Sequence, residues 1–321
     1  MFTEILGHET SKRLIQKAVE AGRMPPALLL SGPEGVGKFL LARALGRALL
    51  CTESGSCEPQ CVPCRRANEG GHPDLIVVQP STLVIKIDQI REVVRQIMGR
   101  PFEARRRVVV LDQAHLLTEE AANSLLKSLE EPPPTSHLIL VTAAPQALLP
   151  TIRSRCQGLR LGPLPASTVE EYLKEKHGQP AEEARLRASL SGGSIGAALA
   201  WETETHRSVR ALLLDLLEKP PGGAGRAEVA DRLAELEDIP AALITLRTLL
   251  RDMEVLRLGA GPQSLLNADE SERLSRLARA PLAGRASAFA AAVEETIRAL
   301  RGNANKLLAM DVLMERLVEP G

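Results

Sequence analysis

Aromatic side chains are nearly missing from this chain: four Phe, one Tyr and one Trp stand among 321 residues. So sparse a set argues against a base-stacking surface for single-stranded nucleic acid. Net charge is missing as well, because forty Lys and Arg offset forty Asp and Glu. Any nucleic-acid contact must then come from a local patch and not from the overall field. Apolar runs are short and broken by charges, far below the roughly 18 residues that span a bilayer, and the N-terminus lacks a charged-then-apolar leader pattern. A cytoplasmic location is expected. With 44% hydrophobic and 25% charged residues, the chain can build proper cores in two or three domains.

What is present begins with a phosphate-binding loop, Gly32-Pro33-Glu34-Gly35-Val36-Gly37-Lys38, complete up to its last letter. Phe39 stands where a Ser or Thr would place a hydroxyl on the nucleotide's magnesium. The loop follows the apolar run 27–30 and opens onto a helical pattern from Leu40 to Leu50, the strand–loop–helix setting that phosphate cradling needs. A second strand-like run, Val108 to Leu111, ends in Asp112, where a P-loop enzyme holds magnesium through water. Gln113 follows, and an amide can hydrogen-bond a water but cannot take its proton. Thr142, at the end of the next apolar run, is either a polar sensor of the γ-phosphate or simply a strand-end hydroxyl.

Apolar runs at 27–30, 75–78, 108–111 and 138–142 alternate with amphipathic segments, which predicts a parallel α/β sheet with crossover helices. Thr118 is the expected cap of a helix carrying Ala121, Leu125, Leu126 and Leu129 on one face, ended by Pro132-Pro133-Pro134. Strand signals stop beyond Pro163 and Pro165. Short helices punctuated by Gly192-Gly193 follow, and then longer ones from about His206, broken at Pro220-Pro221-Gly222-Gly223. The series Ala242, Leu246, Leu249, Leu250, Met253, Leu256 keeps a helical period over several turns. The expected division is an α/β nucleotide-binding domain at 1–163, a small helical lid at 164–204 and a helical collar at 205–321.

Four of the five cysteines, Cys51, Cys57, Cys61 and Cys64, fall in one short segment. In a cytoplasmic protein so dense a cluster reads as a tetrahedral structural zinc site before it reads as disulfides. The alternative is a reduced cluster whose geometry has lost the metal. Arg153 and Arg155 flank Ser154, just before Cys156. Such a pair is either a surface or capping feature or a source of an arginine finger offered to a neighbouring subunit's nucleotide. Cys156 itself is expected to pack as a small apolar residue. Arg91, Arg95, Arg100, Arg105, Arg106 and Arg107 form the densest basic stretch, suited either to phosphates of DNA or to a solvated loop. His115 is expected to be structural and Trp201 to lie in a core.

Taken together, Gly32 to Lys38, the strand ending at Asp112, the run Asn123-Ser124-Leu125-Leu126-Lys127-Ser128-Leu129-Glu130-Glu131-Pro132-Pro133 and Ser154-Arg155-Cys156 resemble the bacterial clamp-loader subunits of DNA polymerase III, within the AAA+ superfamily. Gly71-His72-Pro73-Asp74, Ile87-Asp88-Gln89-Ile90-Arg91 and Gly302-Asn303-Ala304-Asn305 extend the resemblance over essentially the whole chain. Its length, the short collar and His72-Pro73-Asp74 favour the delta-prime branch over the ATP-hydrolysing gamma/tau motors, which are the alternative. A stand-alone zinc-containing DNA-binding protein is a further rival, weakened by the neutral charge. The resemblance implies a four-cysteine zinc module at about 51–64, inserted after the loop's helix, although the spacing here differs, with three residues between Cys57 and Cys61. It also implies Arg155 acting in trans on a neighbour's ATP, and gamma/tau and delta subunits as partners. The sliding clamp and primed DNA would be met through that complex, in nucleoid-associated replication. Phe39, Gln113 and Gly196, the last standing where a motor subunit carries a sensor arginine, imply a subunit that does not hydrolyse ATP itself.

Overall fold

The computed structural model describes residues 1–52, 61–80, 84–200, 203–222, 225–236, 238–261, 264–301 and 304–318. Cys57, Trp201, Gly302 and Asn303 lie outside the described residues. The chain divides into two compact units, one formed by Met1–Thr168 with Gly193–Ala197, the other by Val169–Gly192 with Ala198–Gly321.

The first unit is built on a five-stranded sheet. Its strands are β1 (Ala27–Ser31), β2 (Leu75–Val78), β3 (Arg107–Leu111), β4 (Ser136–Thr142) and β5 (Gln157–Arg160), in the order β2-β3-β4-β1-β5. Every pairing is parallel. Both faces are covered, which is why the inner strands read as unbroken apolar runs. On one face Leu28, Leu30, Val108, Val110, Ile139 and Val141 meet Leu41 and Leu45 of α2 (Lys38–Leu50), over which α1 (Glu9–Glu20) places Ile15. A short α3 (Val62–Asn68) lies against α2 through Ala67. On the other face Leu29, Val109, Leu111, Leu138 and Leu140 meet Ile90, Val93 and Ile97 of α4 (Ile87–Met98) and Leu125 and Leu129 of α5 (Glu119–Glu130).

The four expected strands are present, and β5 is added at the edge beside β1. Its sequence, Gln-Gly-Leu-Arg, is mostly exposed and carries no apolar alternation; pairing with β1 and not burial makes it a strand. The Thr118 cap is as expected, since its hydroxyl accepts the amide of Ala121 at 3.3 Å. A single turn, α6 (Pro150–Arg153), follows β4.

The second unit is helical: α7 (Ala166–His177) leads into it, α8 (Ala181–Leu190) follows, α9 (Ile195–Ala200) starts in the first unit and ends in the second, and α10 (Thr203–Glu218), α11 (Gly225–Ala234), α12 (Ile239–Arg257), α13 (Ser271–Leu277), α14 (Ala286–Arg301) and α15 (Lys306–Val318) complete it. The periodic series on α12 is its spine: Leu246, Leu249, Leu250 and Met253 are fully buried with Val293 and Ile297 of α14 and Leu313 and Met314 of α15. Among the described residues no helix is long and apolar enough to cross a membrane.

Candidate functional site

In a parallel sheet the carboxyl ends of the strands form the natural crevice for a ligand, and the phosphate-loop residues converge there. β1 ends at Ser31, in register with Thr142 at the end of β4, and Asp112 follows the end of β3. Gly32 has φ +148°, and a Cβ there would stand 2.1 Å from the carbonyl oxygen of Leu161; only glycine lets the chain leave β1 in this way. Gly37, also in the left-handed region, caps α2, whose first residue is Lys38.

Several of the loop's polar groups are bonded within the chain. Lys38, 7% exposed, donates from Nζ to the carbonyl of Pro33 at 2.5 Å. Burial lowers its pKa, opposed by the carboxylates of Glu34 and Asp112. His8 lies with Nε2 2.8 Å from the carbonyl of Val36, and the amide of Gly196 donates to the carbonyl of Gly35 at 3.1 Å. At Gly196 a Cβ would come within 2.9 Å of Gly35 Cα. Gly196 is thus a close backbone approach to the loop.

Phe39 is half-buried and packs on the sheet's α2 face, with the Arg43 guanidinium 6.0 Å from its ring centre. Asp112 accepts the amide of Gln113 at 2.9 Å and Nε2 of Gln79 at 3.3 Å. Gln113 is held in a left-handed backbone, φ +49°. Thr142 is buried, its Oγ1 3.2 Å from His115 Nδ1, and it accepts the amide of Ala144 at 3.1 Å. His115 thus has a structural contact, and it is one with a candidate sensor.

Cys51 closes α2, Cys61 precedes α3 and Cys64 lies in the first turn of α3. Their sulfurs all lie within 4.8 Å of one another, and those of Cys51 and Cys61 are 3.9 Å apart. Thiolates on a tetrahedral zinc, with Zn–S about 2.3 Å, stand roughly 3.8 Å apart, so the three fit such an ion. Burial pushes the Cys61 thiol up, yet hydrogen bonds from the backbone and side chains of Cys64 and Thr52 outweigh it and bring the pKa down to about 6.

Arg155 follows α6. Its Nη2 pairs with Glu130 Oε1 at 2.6 Å and its Nη1 donates to the carbonyl of Thr151 at 3.0 Å. Cys156 packs on the α4–α5 face of the sheet, where burial raises its thiol to about 11, in keeping with an apolar role.

The basic stretch is not uniformly a surface feature. Arg107 is buried, with Nε and Nη2 at 3.2 and 3.1 Å from Oδ1 of Asp74. Asp74, fully buried, also accepts the amides of Phe102, Glu103 and Ala104 at 2.7 to 2.9 Å. Neither this hub nor the Glu130 contact announces itself in the sequence; the adjacency of Pro73-Asp74 to a strand is the only cue.

The family described as "DNA polymerase III, delta subunit" matches residues 7–165. The DNA polymerase III subunit delta' of Escherichia coli (strain K12) is 32% identical over 313 residues, covering 94% of this chain and 92% of its own. The chain belongs to the delta-prime family of DNA polymerase III subunits. The Bacillus subtilis (strain 168) delta' is 36% identical over 208 residues, 64% of this chain and 63% of that one, so the match spans less than two thirds of that relative. A gamma/tau subunit of Mycobacterium tuberculosis (strain ATCC 25618 / H37Rv) is 29% identical over 358 residues, spanning 99% of this chain and 61% of that one. A delta' subunit and a gamma/tau subunit are thus both similar to nearly all of this chain.

Proposed function

We propose that this delta-prime-family chain is a non-hydrolysing subunit of a DNA polymerase III clamp loader. It takes the AAA+ domain, lid and collar division expected at 1–163, 164–204 and 205–321. Its partners are gamma/tau and delta subunits, and through them it serves a sliding clamp on primed DNA. The observation that carries the reading is a contrast between the chain's own phosphate loop and Arg155. The loop has Phe39 for a magnesium hydroxyl, Gln113 for a catalytic carboxylate and Gly196 packed on Gly35, whereas Arg155 is partly exposed at the end of a short helical turn.

In this mechanism Arg155 supplies a charge to the γ-phosphate on an adjacent motor subunit, where an arginine stabilises the charge that develops during phosphoryl transfer. The chain's own loop serves as scaffold. Cys51, Cys61 and Cys64, with Cys57 as the fourth ligand, would hold a structural zinc, which adds folding stability and no catalysis. In a loader reconstituted from the full chain and its cognate subunits, Arg155→Ala should leave assembly intact and lower DNA-stimulated ATPase about tenfold or more. Unchanged activity overturns the reading. Turnover by the isolated chain with ATP and magnesium, abolished by Lys38→Ala, would instead favour a gamma/tau-type motor.

A further inference from the structure

The Leu-Glu-Glu-Pro-Pro run has no part in the chemistry described so far, yet it ends beside Arg155. Glu130 is the last residue of α5, with Pro132 stopping the helix just beyond. From there its carboxylate reaches Nη2 of Arg155 at 2.6 Å, while the Thr151 carbonyl holds Nη1 at 3.0 Å and Ser154 Oγ lies 3.4 Å away. The guanidinium fork is therefore occupied on both arms within its own chain. The grip is a light one, because the Arg155 side chain is 34% and the Glu130 side chain 49% exposed, and ion pairs this open to water are weak.

We propose that Glu130 is a positioning residue that holds Arg155 as a stand-in for the neighbouring subunit's phosphate. Carboxylate and phosphate oxygens offer the guanidinium fork the same acceptor geometry. A nucleotide phosphate carries more charge, and in a site closed off from water its attraction for the fork exceeds that of a solvated carboxylate. The arginine is thus kept ordered and aimed before assembly, and is handed over when nucleotide arrives. Until then only the fraction of molecules with the pair broken is competent, which weakens the apparent affinity of the neighbour's site by that fraction. This rests on the reading of Arg155 as a finger in trans.

Glu130→Gln keeps the shape and one acceptor oxygen but removes the charge. In the reconstituted loader it should lower the half-saturating ATP concentration roughly 2–5-fold at unchanged kcat, the span expected for an exposed pair. In an Arg155→Ala background the same change should do nothing, and Glu130→Asp, which keeps the charge, should return half-saturation toward the parent value. An unaltered half-saturation in Glu130→Gln, or an equal shift in the Arg155→Ala background, overturns the proposal. If Arg155→Ala itself leaves ATPase untouched, the finger reading fails, and the stand-in role falls with it.

Discussion

The amide of Gly196 donates to the carbonyl of Gly35 across 3.1 Å, so the phosphate loop is fastened by the segment around Gly196. Each of the two glycines leaves the other no room. A Cβ on Gly35 would fall 2.2 Å from Ser194 Oγ, at φ +68°. Gly35→Ala should therefore cost about 2–3 kcal/mol, combining backbone strain with a clash against a buried side chain. Gly22→Ala is the control, since its φ is +65° but nothing lies within 4 Å; it should cost only about 1 kcal/mol. Urea denaturation of the two variants measures the difference, and equal costs would refute the clasp.

Asp74→Ala strips three backbone amides and the Arg107 guanidinium of one acceptor. A buried charge left without its partner typically costs about 3–5 kcal/mol. Burial raises the pKa of Asp74, but the amides of Ala104, Glu103 and Phe102 and the Arg107 side chain outweigh it and hold the carboxyl below its usual value. Its contribution is therefore complete above the unfolded-state value of about 3.9 and is lost as pH falls through the lower folded value. Wild type and Asp74→Ala should differ by a constant margin from pH 5 to 7 and converge in acid. Chemical denaturation across that range tests both statements.

His206 adds a second loss of stability in acid, within the helical unit and at higher pH. Burial, reinforced by the charges of Arg210 and Arg187 and opposed by Asp269, lowers its pKa to about 4. Between pH 6.5 and 4 the unfolded chain takes up a proton that the folded chain refuses, so stability declines as pH falls through that window. The full effect is roughly 3 kcal/mol. In His206→Gln the slope of stability against pH there should drop by one proton; an unchanged slope would mean that His206 is protonated in the fold.

Metal content is the direct check on the cysteine cluster. Protein purified without chelator should hold about one zinc per chain. Cys64→Ser should lose it and melt at lower temperature, and chelation should bring the wild type to the same point. Zinc retained in full by Cys64→Ser would exclude that thiol as a ligand.

The inner strands were legible because burial on both faces writes an unbroken apolar word into each, and Thr118 was legible because a cap needs a particular side chain. β5 was not, since an edge strand made of Gln, Gly, Leu and Arg owes its conformation to β1. The phosphate loop and the three described cysteines were visible as motifs, and the structure brings each group together. Arg107 misled, as six arginines in a short stretch look alike until one of them finds a buried carboxylate far along the chain. Glu130 sits in the Leu-Glu-Glu-Pro-Pro run, but its pairing with Arg155 depends on a helix end and a turn meeting across the fold.

α2 has Lys38 as its first residue, and Cys51 closes it thirteen residues on. At 1.5 Å per residue it is a rod about 20 Å long, fixed near its far end by Arg47, which bonds the Met1 carbonyl and Asn68 and pairs with Glu4. The cysteine cluster and the phosphate loop are thus two ends of one lever. A metal ion gripping Cys51 would be tied through α2 to the position of Lys38 in the loop.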